Sequence, residues 1–250
     1  MAAGKIDPIH QFEINTLVPF GTTGLGLTNS GVFMILASGL IAGLMIWGVR
    51  RRELVPGRIQ SLAEISYEFV ASTVQSTAGR EGMQFFPLVF SLFMFVLVLN
   101  LLGLMPGGFT VTSHIVITFA LALLVILTVI AVGFIKNGLG FLKLFAPSGI
   151  PIYVLPIITV IEVVSFLARP VSLSMRLFAN MMAGHIALKL FAGFVVTLGS
   201  FGIFGIFGAV VPLGIAVALT ALEFLVAFIQ AYVFTILTCI YLNDALHPSH

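Results

Sequence analysis

The feature that most limits the fold of this chain is residues 82–135, which contain no Asp, Glu, Lys or Arg. Only 8% of the 250 residues are charged, whereas about 25% are charged in an ordinary soluble domain. Since 60% are hydrophobic and the mean hydropathy is +1.19, the solvent of this protein is largely lipid. The uncharged run is too long for one span. LMPGGF at 104–109 divides it, which predicts a two-span hairpin over 83–135, with helices at about 83–104 and 112–135.

Three further apolar segments bring the number of predicted membrane spans to five. The last two are unusually long and exceed the roughly 20 residues of a perpendicular span, so we expect both to be strongly tilted. The glycine-rich stretch at 198–208 joins them as an antiparallel hairpin. Pro151, Pro156 and Pro170 are expected to bend or interrupt its first helix. The three segments are residues 30–49, 150–198 and 210–242, and the hairpin covers 150–242.

Residues 58–80 differ from these spans, because apolar and polar side chains recur there with a helical period. Such a pattern is typical of an amphipathic helix that lies on the membrane surface. The chain is therefore predicted to be an all-α integral membrane protein with a single membrane domain, about five transmembrane helices and one surface helix. The apolar stripe of the surface helix contains Ile59, Leu62, Ile65, Phe69 and Val74.

Basic residues indicate how the chain is oriented in the membrane. Five spans place the two termini on opposite sides, and seven basic residues then fall on one side. The positive-inside rule makes that side cytoplasmic and puts the N-terminal segment 1–29 outside. This segment lacks the continuous apolar core of a signal peptide, so no cleavage is expected. The seven residues are Arg50, Arg51, Arg52, Arg58, Arg80, Lys136 and Lys143.

Ionisable side chains inside the last two spans point to function. Each costs at least a few kcal/mol in the membrane and usually faces a bundle interior or an aqueous path. At 100° per residue, Arg176 shares one broad helical face with Arg169 and Asn180. His185 lies on the opposite face, about 13.5 Å further along the helix. The fifth helix is thus predicted to carry two separate polar faces.

Folding the two long segments back on each other at residues 203–204 brings polar residues to equal depth. Three such levels share one register, and Glu223 and Gln230 lie near one face of their own helix because they are seven residues apart. The match indicates that the polar residues of the two helices act together. The three pairs are Arg176 with Gln230, His185 with Glu223, and Glu162 with Asp244.

These residues also have structural interpretations, which the sequence leaves open. A buried ion pair gains little over apolar packing, long basic side chains reach the membrane interface, and buried amides join helices. The alternatives are an Arg176–Glu223 ion pair, a core role for His185, a rim position for Glu162, interfacial Arg169 and Lys189, a solvated Asp244, and packing or capping roles for Asn100 and His114.

RLFANMMAGH at 176–185 and LEFLVAFIQAYVFTILTCIYLN at 222–243 resemble the signature helices of subunit a of the rotary F-type ATP synthase. The order and lengths of the segments agree with this family over nearly the whole chain. The resemblance implies that the long tilted hairpin packs against a rotating ring of c subunits, each with a mid-membrane carboxylate. Protons enter by one aqueous half-channel, load onto a ring carboxylate and leave by a second half-channel. A b-type peripheral stalk and the rest of the synthase are further implied partners.

The resemblance also implies roles for individual residues of this chain. A guanidinium group stays charged, so Arg176 cannot itself carry the proton. It favours a deprotonated ring carboxylate and blocks leakage between the half-channels. Histidine and glutamate exchange protons near neutral pH when their surroundings tune them. The implied roles are Arg176 facing the ring, Asn180 and Gln230 as polar neighbours toward the same partner surface, His185 and Glu223 in the outer half-channel, and Glu162 in the inner one.

Several classes of function are excluded or less favoured. No phosphate-binding loop or metal-ligand cluster occurs in the sequence, so the chain is not expected to be an enzyme or to hold a cofactor or metal. One cysteine permits no internal disulfide, and a net charge of +2 does not point to nucleic acid. The expected location is the bacterial inner membrane, with the mitochondrial inner membrane as an alternative. A stand-alone proton-coupled transporter is the rival function, although no inverted repeat is visible, and a purely structural subunit is a third.

Overall fold

The computed structural model describes residues 12, 16–19, 26–50, 55–105, 108–145 and 153–247. Within these ranges the chain forms six α-helices: α1 Asn29–Arg50, α2 Arg58–Gly82, α3 Phe86–Leu104, α4 Ile115–Asn137, α5 Leu155–Gly199 and α6 Ile203–Leu246. Short 3-10 helices cover Met83–Phe85, Val111–Ser113 and Gly138–Leu144. Most of the N-terminal segment 1–29, Arg51, Arg52, Pro151 and the side chain of Lys143 lie outside the described residues.

Five helical units of the described chain are long and apolar enough to cross a membrane; one of them combines α2 and α3, with a non-helical backbone at Gly79. This confirms the prediction of an all-α membrane protein with five spans. The helices α5 and α6 contain 45 and 44 residues and pack along each other. A helix of that length is about 68 Å long at 1.5 Å per residue, more than twice the ~30 Å hydrocarbon layer of a bilayer. Both helices therefore fit a membrane only when strongly inclined.

A short pair of antiparallel strands, which no pattern in the sequence predicts, precedes α1. The strands are β1 Thr16–Pro19 and β2 Gly26–Thr28. β2 runs directly into α1, where the Thr28 hydroxyl accepts a hydrogen bond from the Gly31 N–H at 3.2 Å. This bond satisfies one of the free N–H groups at the start of the helix.

The helix α2 packs on α1, α3 and α6, and its contact with α1 is made through small side chains. A Cβ at Gly48 of α1 would come within 2.7 Å of the Ala63 Cβ, so the two helices approach closely there. Ile59, Leu62 and Ile65 are exposed, so the first part of the predicted apolar stripe does not face the protein. Bulky side chains do not fit where two helices approach so closely. The buried residues of α2 are Ala63, Val70, Thr73, Val74, Ala78 and Gly82.

The turn between α5 and α6 is shorter than the glycine-rich stretch 198–208. Only residues 200–202 separate the helices, and the rest of the stretch is helical. Gly202 has φ 79°, a left-handed conformation that glycine adopts without steric cost. Pro156 lies in the first turn of α5, where a missing N–H costs no hydrogen bond. Pro170 is buried inside α5, and the helix continues through it without interruption.

The C-terminal ends of α2, α4 and α6 lie together at one end of the bundle. Lys136 Nζ is 3.2 Å from Glu81 Oε2, which links α4 to α2. The side-chain amide of Asn137 donates a hydrogen bond to the Ala245 carbonyl at 2.7 Å, which links α4 to α6. Arg80 and Lys136, two of the basic residues predicted to share a side, therefore lie at the same end of the molecule.

Candidate functional site

The helix α5 carries two polar faces that the structure keeps apart. Arg176 and Asn180 are exposed, whereas His185 is only 8% exposed. Nine residues separate Arg176 from His185, which turns the helix by two and a half turns and places them on opposite sides. The surface of the hairpin thus presents a permanent charge, and its interior holds a titratable ring.

Glu223 of α6 lies against α5 at Gly184, the residue next to His185. A Cβ at position 184 would overlap the Glu223 carboxyl group, so only glycine leaves room for it. The contact agrees with the register predicted from sequence, in which Glu223 and His185 lie at equal depth. Glu223 is 8% exposed, and both of its carboxyl oxygens are buried without a hydrogen-bond partner among the described residues.

His185 makes a hydrogen bond that no pattern in the sequence predicts. Its Nε2 lies 3.1 Å from Oγ1 of Thr110, which precedes the short 3-10 helix between α3 and α4. Thr110 is 4% exposed. No sequence signal singled it out, because it lies in a connection without helical periodicity. His185 is therefore bonded to the α3–α4 connection on one side and lies next to the Glu223 contact on the other.

Further buried polar atoms without partners lie near these residues. Asn100 donates a hydrogen bond to the Ala227 carbonyl at 3.2 Å, one turn along α6 from Glu223, so it does join two helices. Its Oδ1 has no partner. The His114 ring stacks on Phe109, with ring centroids 5.1 Å apart, and burial lowers the pKa of His114 below its ordinary value of 6.5. In the described residues, the buried side-chain atoms without a partner belong to Asn100, Thr112, His114 and Glu223.

Gln230 is 7% exposed, which corrects the expectation that it faces the same partner surface as Arg176. The face of α6 that carries Gln230 and Glu223 packs against the other helices of the chain, so only the α5 side of this predicted pair is exposed. Glu162 is half-buried near the start of α5.

Asp244 forms an ion pair with Arg169, which corrects two interpretations. Arg169 Nη1 is 2.9 Å from Asp244 Oδ2, so Asp244 is not merely solvated and Arg169 does not simply extend to the interface. The guanidinium also lies 5.5 Å and 4.9 Å from the ring centroids of Phe166 and Tyr241. Glu162, the predicted counterpart of Asp244, is two helical turns away from Arg169. The predicted register requires straight, parallel helices, which pass equal numbers of residues between two shared levels. Between the Arg169–Asp244 pair and the Glu223 contact, α5 covers residues 169–184, a shorter stretch than residues 223–244 of α6.

Metal-ligating side chains do not gather in the part of the chain that the structure describes: no group of three or more His, Cys, Asp or Glu is arranged to hold a metal ion. Cys239 is buried and free.

Comparison with known proteins gives consistent matches over the whole chain. A family model described as ATP synthase A chain matches residues 31–243. "ATP synthase subunit a" of Rhodopseudomonas palustris (strain BisB18) is 62% identical over 248 residues, covering 98% of this chain and 100% of that protein. The protein of the same name from Mesorhizobium japonicum is 61% identical over 252 residues, with 100% of both chains covered. That from Nitrobacter winogradskyi is 62% identical, with 98% and 100% covered.

Proposed function

The chain belongs to the ATP synthase A chain family, and from this premise we propose that it is the stator along which protons cross the membrane to turn a ring of c subunits. As a member of this family it is a multi-pass membrane subunit of ATP synthase and acts in a complex with other subunits of that enzyme. Its part in ATP synthesis is non-catalytic.

The exposed Arg176 is the observation that carries the proposal. It lies at the middle of α5, a helix long enough to cross a membrane, and a permanent charge is costly against lipid. A polar partner surface therefore has to cover it. A guanidinium group does not release its proton, so Arg176 favours the deprotonated form of each passing ring carboxylate. Asn180, exposed one turn further along α5, extends the same polar face, while Gln230 is buried.

His185 and Glu223 line the outer half-channel in this proposal. Their support is that both are buried and that Glu223 reaches α5 beside His185. The neighbouring unpartnered atoms of Asn100, Thr112 and His114 add to it, because buried polar groups without protein partners are normally hydrated. A hydrated polar cluster that leads to two exchangeable groups is what a proton path requires.

Glu162 belongs to the inner half-channel, at the end of the hairpin that also carries the Arg169–Asp244 pair. The basic residues make this end cytoplasmic by the positive-inside rule, which puts the N-terminus outside a bacterial inner membrane. The support is that the ends of α2, α4 and α6 lie together and carry Lys136. The ring and a b-type peripheral stalk are the expected partners.

Arg176→Ala in the assembled complex tests the proposal. The variant should lose both ATP-driven proton pumping and proton-driven ATP synthesis in proteoliposomes, while the complex still assembles. Arg176→Lys should also fail, because a compact ammonium lacks the broad planar guanidinium. Arg80→Ala is the matched control: Arg80 is exposed but lies at the end of α2, and its loss should leave pumping intact.

Normal coupled pumping by Arg176→Ala would remove this residue from the mechanism. The rival function is tested by reconstituting the chain alone. A stand-alone transporter moves protons by itself, whereas a stator subunit gives no proton flux until the c ring is added. Flux from the isolated chain at the rate of the whole complex would favour the transporter.

A further inference from the structure

Thr110 contacts the proton-exchanging face of α5 from outside the hairpin. Its Oγ1 lies 3.1 Å from Nε2 of His185, and the two residues are 75 positions apart in the chain. Thr110 is 4% exposed and His185 is 8% exposed, so little bulk solvent competes for the bond. Within the described part of the chain, this is the hydrogen bond that the His185 ring makes.

Thr110 is itself firmly held. A Cβ at Gly103 of α3 would lie 3.0 Å from Cγ2 and 3.2 Å from Oγ1 of Thr110, so its side chain packs directly on that helix. The Thr110 carbonyl accepts hydrogen bonds from the Ser113 hydroxyl at 2.6 Å and from the Ser113 N–H at 3.2 Å. Because both its backbone and its side chain are held, the hydroxyl is a fixed point for the imidazole ring.

We propose that Thr110 is a positioning residue for His185. Its hydroxyl oxygen accepts a hydrogen bond from Nε2–H of His185 both when the imidazole is neutral and when it is protonated, so Nδ1 is the nitrogen that takes up and releases the proton. A neutral imidazole has one N–H group and the imidazolium has two. The hydroxyl oxygen has lone pairs, so it can accept a hydrogen bond from Nε2–H in either charge state of the ring. The bond to Nε2 therefore persists while a proton arrives at or leaves Nδ1. The inference rests on the proposed function of His185 in proton transfer.

Other charged and titratable groups around His185 come from three elements. Lys189, one turn further along α5, acts electrostatically on the ring, and its charge opposes a second positive charge there. Glu223 of α6 lies against Gly184, the residue next to His185, and an ionised carboxylate near an imidazole favours the imidazolium. His114 ends the α3–α4 connection and stacks on Phe109. Lys189 acts on the charge of His185, whereas the bond to Thr110 determines which nitrogen of the ring is free.

Thr110→Val tests the proposal, because it removes the hydroxyl and keeps the shape that packs on Gly103. We expect ATP-driven proton pumping by the assembled complex to fall by about tenfold, since a positioned acid–base group contributes 10²–10⁴-fold. The pH profile of pumping should also move to lower pH, because the lost bond is stronger to the imidazolium than to the neutral ring. Thr110→Ser keeps the hydroxyl and should restore both the rate and the profile.

Thr118→Val is the matched control. Thr118 is also buried, at 0% exposed, but its hydroxyl donates to the carbonyls of His114 and Ile115 at 3.4 and 3.1 Å. This variant should pump at the wild-type rate with the wild-type pH profile. Thr110→Ala removes the same hydroxyl but leaves a smaller side chain. Its pH profile of pumping must move to lower pH as that of Thr110→Val does, so the alanine variant still tests the proposal when the valine variant does not assemble.

A wild-type profile in both hydroxyl-free variants, or a serine variant that does not recover, would overturn the role of Thr110. Failure of the proposed function gives a different result, because His185→Ala would then pump normally. Impaired His185→Ala together with normal Thr110→Val rejects only the positioning role. Impairment of both, with recovery in Thr110→Ser, supports it.

Discussion

Gly184→Ala tests whether proton transfer depends on the close approach of Glu223 to α5. A Cβ at position 184 would lie 2.9 Å from Cδ and 3.0 Å from Cγ of Glu223, whereas ordinary contact begins at 3.4 Å. The carboxyl carbon must therefore retreat by roughly 0.5 Å, the difference between 3.4 and 2.9 Å, and the oxygen that overlaps the new methyl group must move further. The variant keeps the Glu223 side chain, but its carboxyl group no longer lies directly against position 184, next to His185.

The expected loss follows from the size of this displacement. A misplacement of about 1 Å at a reacting group costs on the order of 100-fold in rate. A shift of about half that distance corresponds to on the order of a tenfold loss, if the logarithm of the rate falls in proportion to the displacement. Binding of the subunit to its partners should be unchanged, since Gly184 is replaced by a residue that favours the helix by ~1 kcal/mol.

Proton pumping driven by ATP in proteoliposomes measures the effect, with assembly of the complex checked on the same preparation. Gly199→Ala is the control, because Gly199 lies in the same helix and a Cβ there meets no atom within 4 Å. Equal pumping rates in the two variants would show that the position of the Glu223 carboxyl group does not limit proton transfer.

Two further predictions concern pairs of residues. His185→Glu or Glu223→His alone should slow proton flux, because each variant brings two like groups together, whereas the exchanged double variant should recover part of the rate. Strictly additive losses in that double variant, measured as flux through the reconstituted complex, would mean that the two residues act independently. Arg169→Met and Asp244→Asn should each lower the thermal stability of the purified complex. A double-mutant cycle should give a coupling of about 1 kcal/mol for this partly exposed pair, and zero coupling would show that the ion pair contributes nothing.

The sequence determined the number of spans, the ends of most helices and the two polar faces of α5. Each of these depends on local properties. Long uncharged runs have to be helical in lipid, the proline and glycines at 104–109 end a helix, and a period of 3.6 residues separates Arg176 from His185. The turn of the hairpin was placed only approximately, since glycines inside an apolar helix do not by themselves show where the helix begins.

Contacts between helices were decided by the tertiary structure. The register correctly placed Glu223 beside α5 near His185, but it failed at Asp244, which pairs with Arg169 rather than lying level with Glu162. Equal depth follows from counting residues only while two helices remain straight and parallel. Helical periodicity also does not tell a side that faces a partner from a side that faces another helix of the same chain, which is why the predicted exposure of Gln230 is wrong.

The bond between Thr110 and His185 shows most directly what the sequence leaves open. Thr110 lies in a connection with no repeating pattern, 75 positions from its partner. It reaches His185 only because the following 3-10 helix packs against both α3 and α5. The sequence specifies the type of each titratable side chain, and hence which groups can exchange protons. The choice of partner depends on the directions in which separate helices present those side chains, and packing of the whole chain sets these directions.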